Sequence, residues 1–485
     1  MCSKLKRLPE LPNNLKELDL FGCKSLFEIP SSFKHLTNVE SLDLFCCESL
    51  TSIPSGICKW KSLRSLYLNN CSKIDKFPDD IGTLESLTKI EAAGTGIREV
   101  PSSISYLKSL RSLSFSRCKG EDGVGLLLPP LLGFHNLSNL DLSDCGITEL
   151  PDDIGCLTSL ESLCLERNNF ESIPESIINL SNLEFLDISY CQRIKVLPKF
   201  RYWTHISAVD CTSLEELSCP SFHNDIFAKH SQSIEANFSN CFKLNRNLRN
   251  NFVNDTLLNL LNIQGLAASV KRRSHHQVYK GAPLCGCMCY PGCEIPEFFN
   301  IRSNGSSINV NLPPDWSNYN FLCFALCVVV PFDRESSYSK VNYECSIISK
   351  DGDRRVELYR TFGSPCSLFW FPYFGPDYIR SNHVIIGFGF HLFREFCDNE
   401  FSFQFYVTNK KRSNIEKCAV RLMFSLHLET SDECEEVDGP HLEESDEEDE
   451  PRPMRLNDEF EEENEHLEES DEEDEPHPMG LKHME

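Results

Sequence analysis

The chain has 485 residues, enough for two or three domains, and a formal net charge of −26. Residues 429–485 hold 27 of the 73 acidic residues but only 3 of the 47 basic ones, so residues 1–428 are nearly neutral. The longest apolar run, Phe321–Phe332, is too short to cross a bilayer, and no signal-peptide pattern follows Met1. We therefore expect neither a membrane nor a nucleic-acid partner, and a cytoplasmic protein with the nucleus as the alternative location.

The first 200 or so residues repeat one short apolar pattern, Leu-x-x-Leu-x-Leu, at steps of 24, 24, 24, 23, 27, 23, 23 and 23 residues. A Cys or Asn lies eight positions after the first apolar residue in most units. This period is typical of leucine-rich repeats (LRRs), so we predict an α/β solenoid over residues 1–218 whose short strands line one concave side. The nine units begin at Leu15, Val39, Leu63, Leu87, Leu110, Leu137, Leu160, Leu183 and Ile206.

The cysteines at the equivalent repeat position predict a ladder of buried, reduced thiols. Thr95 and Asn168 take that position in the fourth and seventh units. In the ninth unit Cys211 comes early and Leu214 stands where the Cys is expected, which indicates a degenerate terminal repeat. The ladder residues are Cys23, Cys47, Cys71, Cys118, Cys145 and Cys191.

The segment from Cys2 to Pro9 reads as the second half of a repeat that lacks its strand. A solenoid end needs a cap over its apolar face. We therefore expect further sequence upstream in the natural protein, and self-association through an uncapped end in the chain as written.

Residues 219–236 are interpreted as a cap or linker, and residues 237–428 as an all-β sandwich. Ile308–Leu312 and Phe401–Val407 alternate apolar and polar residues, whereas Phe324–Val330 is continuously apolar, which predicts half-buried and fully buried strands. The cluster Cys285, Cys287, Cys289 and Cys293 lacks the C-x-x-C knuckle of a zinc site, so we predict no metal. No catalytic constellation and no phosphate-binding loop stand out, so we expect no cofactor and no enzyme.

Outward positions of the predicted strands form an acidic stripe with aromatic neighbours. Two readings stay open: Leu-Asp-Leu is common on solvated LRR strands, and like charges about 5 Å apart also favour a basic partner. The predicted partner-binding residues are Asp19, Phe21, Asp43, Phe45, Tyr67, Glu91, Asp141, Phe185, Asp187 and Asp210.

Residues 429–485 predict a disordered tail, because such a density of like charge opposes collapse. The tail contains HLEESDEEDEPRPM at His441 and nearly the same 14 residues again at His466. Ser445 and Ser470, each followed by Asp-Glu-Glu, resemble sites of acidic-directed kinases.

The repeats together with FSNCFKLN (238–245), PGCEIPEFF (291–299), SINVNLPPDW (307–316), FALCVVVPF (324–332) and EKCAVRLMF (416–424) resemble the C-terminal half of plant TIR-type nucleotide-binding LRR immune receptors. The resemblance implies a jelly-roll/Ig-like fold (the C-JID or post-LRR domain) for the second region. It also implies a sensor in which both regions bind a pathogen effector. The chain departs from the family by lacking the upstream TIR and nucleotide-binding domains, so their activities do not carry over.

Three hypotheses follow for the function. The first is an effector-recognition module, either a truncated gene product or a fragment of a longer receptor. The second is a free-standing decoy or regulator that pairs with a complete receptor, and the third is an enzyme of unknown type in the sandwich. The partner is a protein under the first two hypotheses.

Overall fold

A computed structural model describes residues 2–118, 124–200, 205–218, 233–247, 249–258, 285–312, 321–332, 341–348, 354–361, 381–390, 400–407 and 415–424. The acidic tail, with Ser445 and Ser470, lies outside these residues. Among the helices described, none is long and apolar enough to cross a membrane.

Three-residue strands stack in parallel along the first half of the chain, one in each repeat. The middle residue of each is a buried Leu or Ile, and its neighbours point outward. Pairing has no register shift from the first strand to the eighth. This confirms the predicted solenoid with its short strands. The strands are β1 (Glu17–Asp19), β2 (Ser41–Asp43), β3 (Ser65–Tyr67), β4 (Lys89–Glu91), β5 (Ser112–Ser114), β6 (Asn139–Asp141), β7 (Ser162–Cys164) and β8 (Phe185–Asp187).

The outer side of the solenoid is built from short 3₁₀ helices. Six of the seven are preceded directly by a proline whose φ lies between −54° and −72°. Proline fixes this angle and prevents a regular helix from extending towards the N terminus. A side chain at Gly133 or Gly155 would overlap the carbonyl oxygen of Ser105 or Ser176 on the neighbouring unit, so glycine allows this close stacking. The helices are Ser31–His35, Ser55–Lys59, Ile81–Thr83, Ser102–Tyr106, Leu131–Gly133, Asp152–Cys156 and Glu175–Asn179.

The predicted ladder residues are buried and connect successive turns. The thiol of Cys71 donates to the carbonyl of Leu44 (2.9 Å), and that of Cys145 to the carbonyl of Phe115 (3.0 Å). Burial raises the pKa of Cys145 to about 12. All cysteines in the described part of the chain are free, so the ladder consists of reduced thiols that hold a hydrogen bond.

Asn168 replaces the thiol in the seventh unit and makes hydrogen bonds through both its Nδ2 and its Oδ1, whereas the ladder thiols donate. Its Nδ2 donates to the carbonyls of Leu142 (2.8 Å) and Leu165 (2.9 Å). Its Oδ1 accepts the N–H groups of Cys145 (3.2 Å) and Ile147 (3.0 Å). The side chain is 1% exposed, so water cannot replace these bonds.

Replacing Asn168 with alanine should lower the free energy of unfolding by about 2–4 kcal/mol, because buried N–H and carbonyl groups lose their partner. Urea denaturation followed by circular dichroism measures this. Asn169→Ala, which changes an exposed neighbour, is the control and should leave the midpoint unchanged. Equal midpoints for both variants would show that Asn168 has no special role.

The ninth unit differs from the prediction. Ile206 pairs with Leu186, the second apolar position of its unit, so the expected unit start at Ile206 is wrong by three residues. Cys211 then falls on the ladder and donates to the carbonyl of Ile188 (3.1 Å). The error arose because the spacing of apolar residues alone does not distinguish the predicted register from the observed one. The strands here are β9 (Val196–Leu197), β10 (His205–Ser207), β11 (Glu216–Leu217) and β12 (Ser233–Asn237).

A further LRR-like turn lies at β12, where a cap or linker was expected. Strand β12 pairs in parallel with β10. Cys241 lies five residues after the central Ala236, as a ladder residue does, and donates to the carbonyl of Ala208 (3.0 Å). Helical residues 246–258 follow, with 248 undescribed.

The parallel sheet continues into the C-terminal region without a break. Strand β12 pairs in parallel with the next strand, and antiparallel strands then extend the same sheet. A second sheet has four antiparallel strands. The strands are β13 (Cys285–Pro291), β14 (Ile301–Asn304), β15 (Ser307–Asn311), β16 (Phe321–Phe332), β17 (Val341–Ile348), β18 (Arg354–Thr361), β19 (Ser381–Phe390), β20 (Glu400–Val407) and β21 (Lys417–Phe424).

Two cores meet on opposite faces of β16. Leu326 and Val328 pack with Phe403 of the four-stranded sheet, whereas Ala325 and Cys327 belong to the core that runs through the solenoid. Strand β16 is therefore buried on both faces, and β15 and β20 alternate buried and less buried residues, as predicted. The two sheets share a core, while the jelly-roll/Ig-like topology stays a prediction.

Candidate functional site

The concave face presents its outward side chains in parallel columns. The central column contains the third residue of each strand, and the register confirms the predicted positions from β1 to β8. The structure extends the column to Ser207 and Asn237. From β1 to β8 it reads Asp19, Asp43, Tyr67, Glu91, Ser114, Asp141, Cys164 and Asp187.

Asp210 does not belong to this column, so its predicted place on the concave face is wrong. It is buried, at 6% exposure, and its backbone is left-handed with φ 56°. Its Oδ2 accepts a hydrogen bond from Asn240 Nδ2 (3.1 Å). The three-residue slip in the ninth unit explains the error, and Ser207 occupies the outward position instead.

The central aspartates also have a structural role that the sequence analysis missed. Oδ1 of Asp43 accepts the N–H of Phe45 (2.8 Å), and Oδ1 of Asp187 accepts the N–H of Ser189 (2.9 Å). Asp19 and Asp141 make the same bond two residues ahead. These are Asx turns, which satisfy the N–H of the second residue beyond each strand. The repeated Asp was the signal that could have indicated them.

Aromatic side chains flank the column at both ends. The rings of Phe21 and Phe45 stack with centroids 5.1 Å apart and an interplanar angle of 17°. Phe185 lies half-buried on β8 in the column on the other side. In the middle, Lys89 lies over the ring of Tyr67 (5.3 Å) and pairs with Glu91 (2.6 Å), so the charge of Glu91 is neutralised within the protein.

A pocket of about 510 Å³ lies over β6, β7 and β8. Asp141, Cys164 and Asp187 form its floor, and Arg117 and Arg167 line it as well. Burial raises the pKa of the Asp187 carboxyl, and burial raises that of Glu166 against the opposing effect of Arg167. These carboxylates therefore carry their charge at a cost that a cationic ligand would offset.

In each turn the residue just before the ladder position has left-handed backbone, and along β1 to β8 these residues form one rim of the face. Arg117, Arg167 and Tyr190 take this conformation although their side chains disfavour it by about 1 kcal/mol. The Arg167 guanidinium lies 4.3 Å from the centre of the Tyr190 ring. The repeat pattern of the sequence gave no indication that these side chains lie beside the acidic column. The full set is Gly22, Cys46, Asn70, Gly94, Arg117, Asp144, Arg167, Tyr190, Asp210 and Asn240.

The C-terminal cysteines lie in different surroundings. Cys287 and Cys289 both lie in the core between the two sheets, and Cys293 is exposed in the loop after β13. The side chain of Cys285 lies outside the described residues. Among those described, no group of three or more metal-ligating side chains converges.

Both the repeat region and the C-terminal region of the chain match known protein families. Residues 290–429 match the family model described as the C-JID domain, and residues 14–36, 62–84 and 135–192 match leucine-rich-repeat models. The disease resistance-like protein DSC1 of Arabidopsis thaliana is 31% identical over 342 residues, which cover 66% of this chain and 27% of that protein. The chain carries the LRR and C-JID region of a plant TIR-type disease resistance protein.

Two further proteins are similar to parts of this chain. Disease resistance protein RPP2B of Arabidopsis thaliana is 31% identical over 334 residues, covering 63% of this chain and 26% of that protein. The chain thus spans about a quarter of the length of these two relatives. The leucine-rich repeat domain of the type III effector XopL aligns with a TM-score of 0.35 and 25% identity, over 40% of this chain and 68% of that one.

The C-JID match begins at Tyr290, within β13, and the LRR-like turn at β12 therefore precedes it. The C-JID and the LRR are joined on the same sheet through the pairing of β12 with β13. Residues 1–428 form one compact unit. The domain bounds drawn at 218 and 237 stay predictions.

Asp187→Asn should raise the melting temperature of the LRR region at pH 7. A carboxyl whose pKa is raised on folding is harder to ionise in the folded than in the unfolded state, so its charge destabilises the fold once the pH exceeds the ordinary Asp pKa. Asparagine keeps the Asx acceptor. The gain should shrink as the pH falls towards about 4 and vanish below it, since both states are then protonated.

Thermal unfolding between pH 3 and pH 8 measures this difference. Asp19→Asn removes an exposed carboxylate from the same kind of turn and serves as the control. A pH-independent effect of Asp187→Asn, or an equal effect of Asp19→Asn, would contradict the assignment.

Proposed function

We propose that this chain is the partner-recognition region of a plant intracellular immune receptor and that its concave LRR face binds a pathogen effector protein. The observation that supports this most is the open concave column, in which carboxylates and partly exposed aromatic rings lie on a rigid sheet. Aromatic side chains are enriched at the centres of protein interfaces, and charged side chains on the facing surfaces select and steer the partner. The similarity to plant disease resistance proteins supplies the biological context.

The geometry favours binding over catalysis. The matched LRR and C-JID regions are interaction modules. In the described part of the chain, the concave pocket has no nucleophile beside a base: burial, together with Asp141 and Asp187, raises the pKa of the Cys164 thiol to about 12, so it stays protonated at neutral pH. We infer that the C-JID, which is joined to the last turn by the pairing of β12 with β13, contributes a second contact area for the same partner.

Obstructing the concave face should abolish effector binding without unfolding the protein. Ser65 and Ser112 are small, half-buried, outward residues in the column beside the central one. Ser65→Arg with Ser112→Arg adds bulk and two positive charges but leaves the Asx turns intact. In pairwise biolayer interferometry against pathogen effectors, we expect a bound effector to lose at least tenfold in affinity.

A matched variant on the outer side separates blocking from general charge effects. Ser32→Arg with Ser55→Arg makes the same substitutions at exposed positions of two 3₁₀ helices. It should bind like the unaltered chain. Equal binding by both variants would refute the concave face as the contact surface, and selective binding to a complete receptor instead of an effector would favour the decoy or regulator.

A further inference from the structure

The two phenylalanines at the N-terminal end of the concave face form a stacked pair that is open to solvent. Phe21 is 37% exposed and Phe45 is half-buried, and they occupy equivalent positions two residues beyond β1 and β2. Their near-parallel rings, 5.1 Å apart, present one extended π surface. Large aromatic side chains placed together on a solvated face of a repeat array indicate a contact surface.

The backbone holds this pair rigidly. The N–H of each ring-bearing residue is bonded to the aspartate two residues earlier, Asp19 for Phe21 and Asp43 for Phe45, both at 2.8 Å. The N–H of Gly22 also donates to the carbonyl of Phe45 (2.8 Å). The aromatic surface therefore needs little ordering when a ligand binds.

The carboxylates beside the rings lack the internal neutralisation seen elsewhere on the face. Glu91 pairs with Lys89, and Glu166 pairs with Arg167. Among the described residues, no cation lies within ion-pair distance of Asp19 or Asp43. Each aspartate uses Oδ1 in its Asx turn, which leaves its second oxygen for a ligand.

We propose that Phe21, Phe45, Asp19 and Asp43 form an arginine-binding site for a basic segment of the partner protein. A guanidinium is planar, so it stacks on the rings while its N–H groups reach the two carboxylates; an ammonium offers no such plane. The same contact occurs within the chain nearby, where the Arg7 guanidinium lies 5.3 Å from the centre of the Phe27 ring. This inference rests on the proposed function and names the partner chemistry at one end of the concave face.

The test uses the full chain and two peptides that carry fluorescein on the N-terminal amine, fluoresceinyl-Gly-Arg-Gly-Arg-Gly-amide and its lysine counterpart. Binding is measured by fluorescence anisotropy at about 0.15 M salt, because salt at this concentration screens the long-range attraction of the peptides to the acidic tail. We expect the arginine peptide to bind about fivefold more tightly than the lysine peptide. Phe21→Leu with Phe45→Leu should remove this preference, whereas Phe21→Tyr with Phe45→Tyr should retain it because tyrosine keeps the π face.

A charge-matched pair of variants locates the site. Asp19→Asn with Asp43→Asn should weaken arginine-peptide binding about tenfold. Asp79→Asn with Asp80→Asn removes the same charge from two exposed positions on the outer side of the solenoid, and it should have no effect. Equal losses in the two variants, or equal affinity for the two peptides, would overturn the arginine site. Effector binding that still responds to Ser65→Arg with Ser112→Arg would leave the proposed function standing in that case.

Discussion

Most turns of the solenoid depend on one buried side-chain donor that reaches the carbonyl of the turn before it, whereas Thr95 in the fourth unit donates to the carbonyl of Ala92 in its own turn (2.9 Å). A three-residue strand pairs only a few peptide groups, so the carbonyls just beyond it need other partners. The thiols of Cys71 and Cys145 supply them, and Asn168 does so with two further bonds to N–H groups. Because this donor must point inward, the residue before it takes left-handed backbone, which turns the chain away from the concave face.

The same constraint explains why the concave carboxylates are hard to interpret from their charge alone. Asp43 and Asp187 complete the turn beyond their strands, and they also face the solvent side of the sheet. A substitution that removes the acceptor changes folding and recognition together. Asparagine separates the two roles because it keeps the hydrogen bond and loses only the charge.

The sequence predicted the solenoid, the buried cysteines and eight of the nine central positions, because a fixed period carries the same geometry from unit to unit. It failed at Ile206, where Ser and Ala dilute the apolar pattern and the ladder cysteine is the better guide to register. It missed the turn at β12, since Cys241 stands alone without a leucine-rich strand. Contacts such as Arg167 with Tyr190 could not be predicted, because they depend on left-handed backbone at residue types that usually avoid it.

The uninterrupted sheet has a consequence for how such genes exchange parts. Within the solenoid, a crossover that adds or removes a whole unit leaves each strand paired with an equivalent strand. The number of repeats can therefore change with little effect on folding. At the pairing of β12 with β13 the edge changes partner, from a three-residue LRR strand to a longer strand that is itself followed by antiparallel pairing. A recombinant gene joined at this point encodes a folded protein only when the strands from both parent genes pair in the same register. The last LRR turn and the C-JID should therefore be inherited as one block.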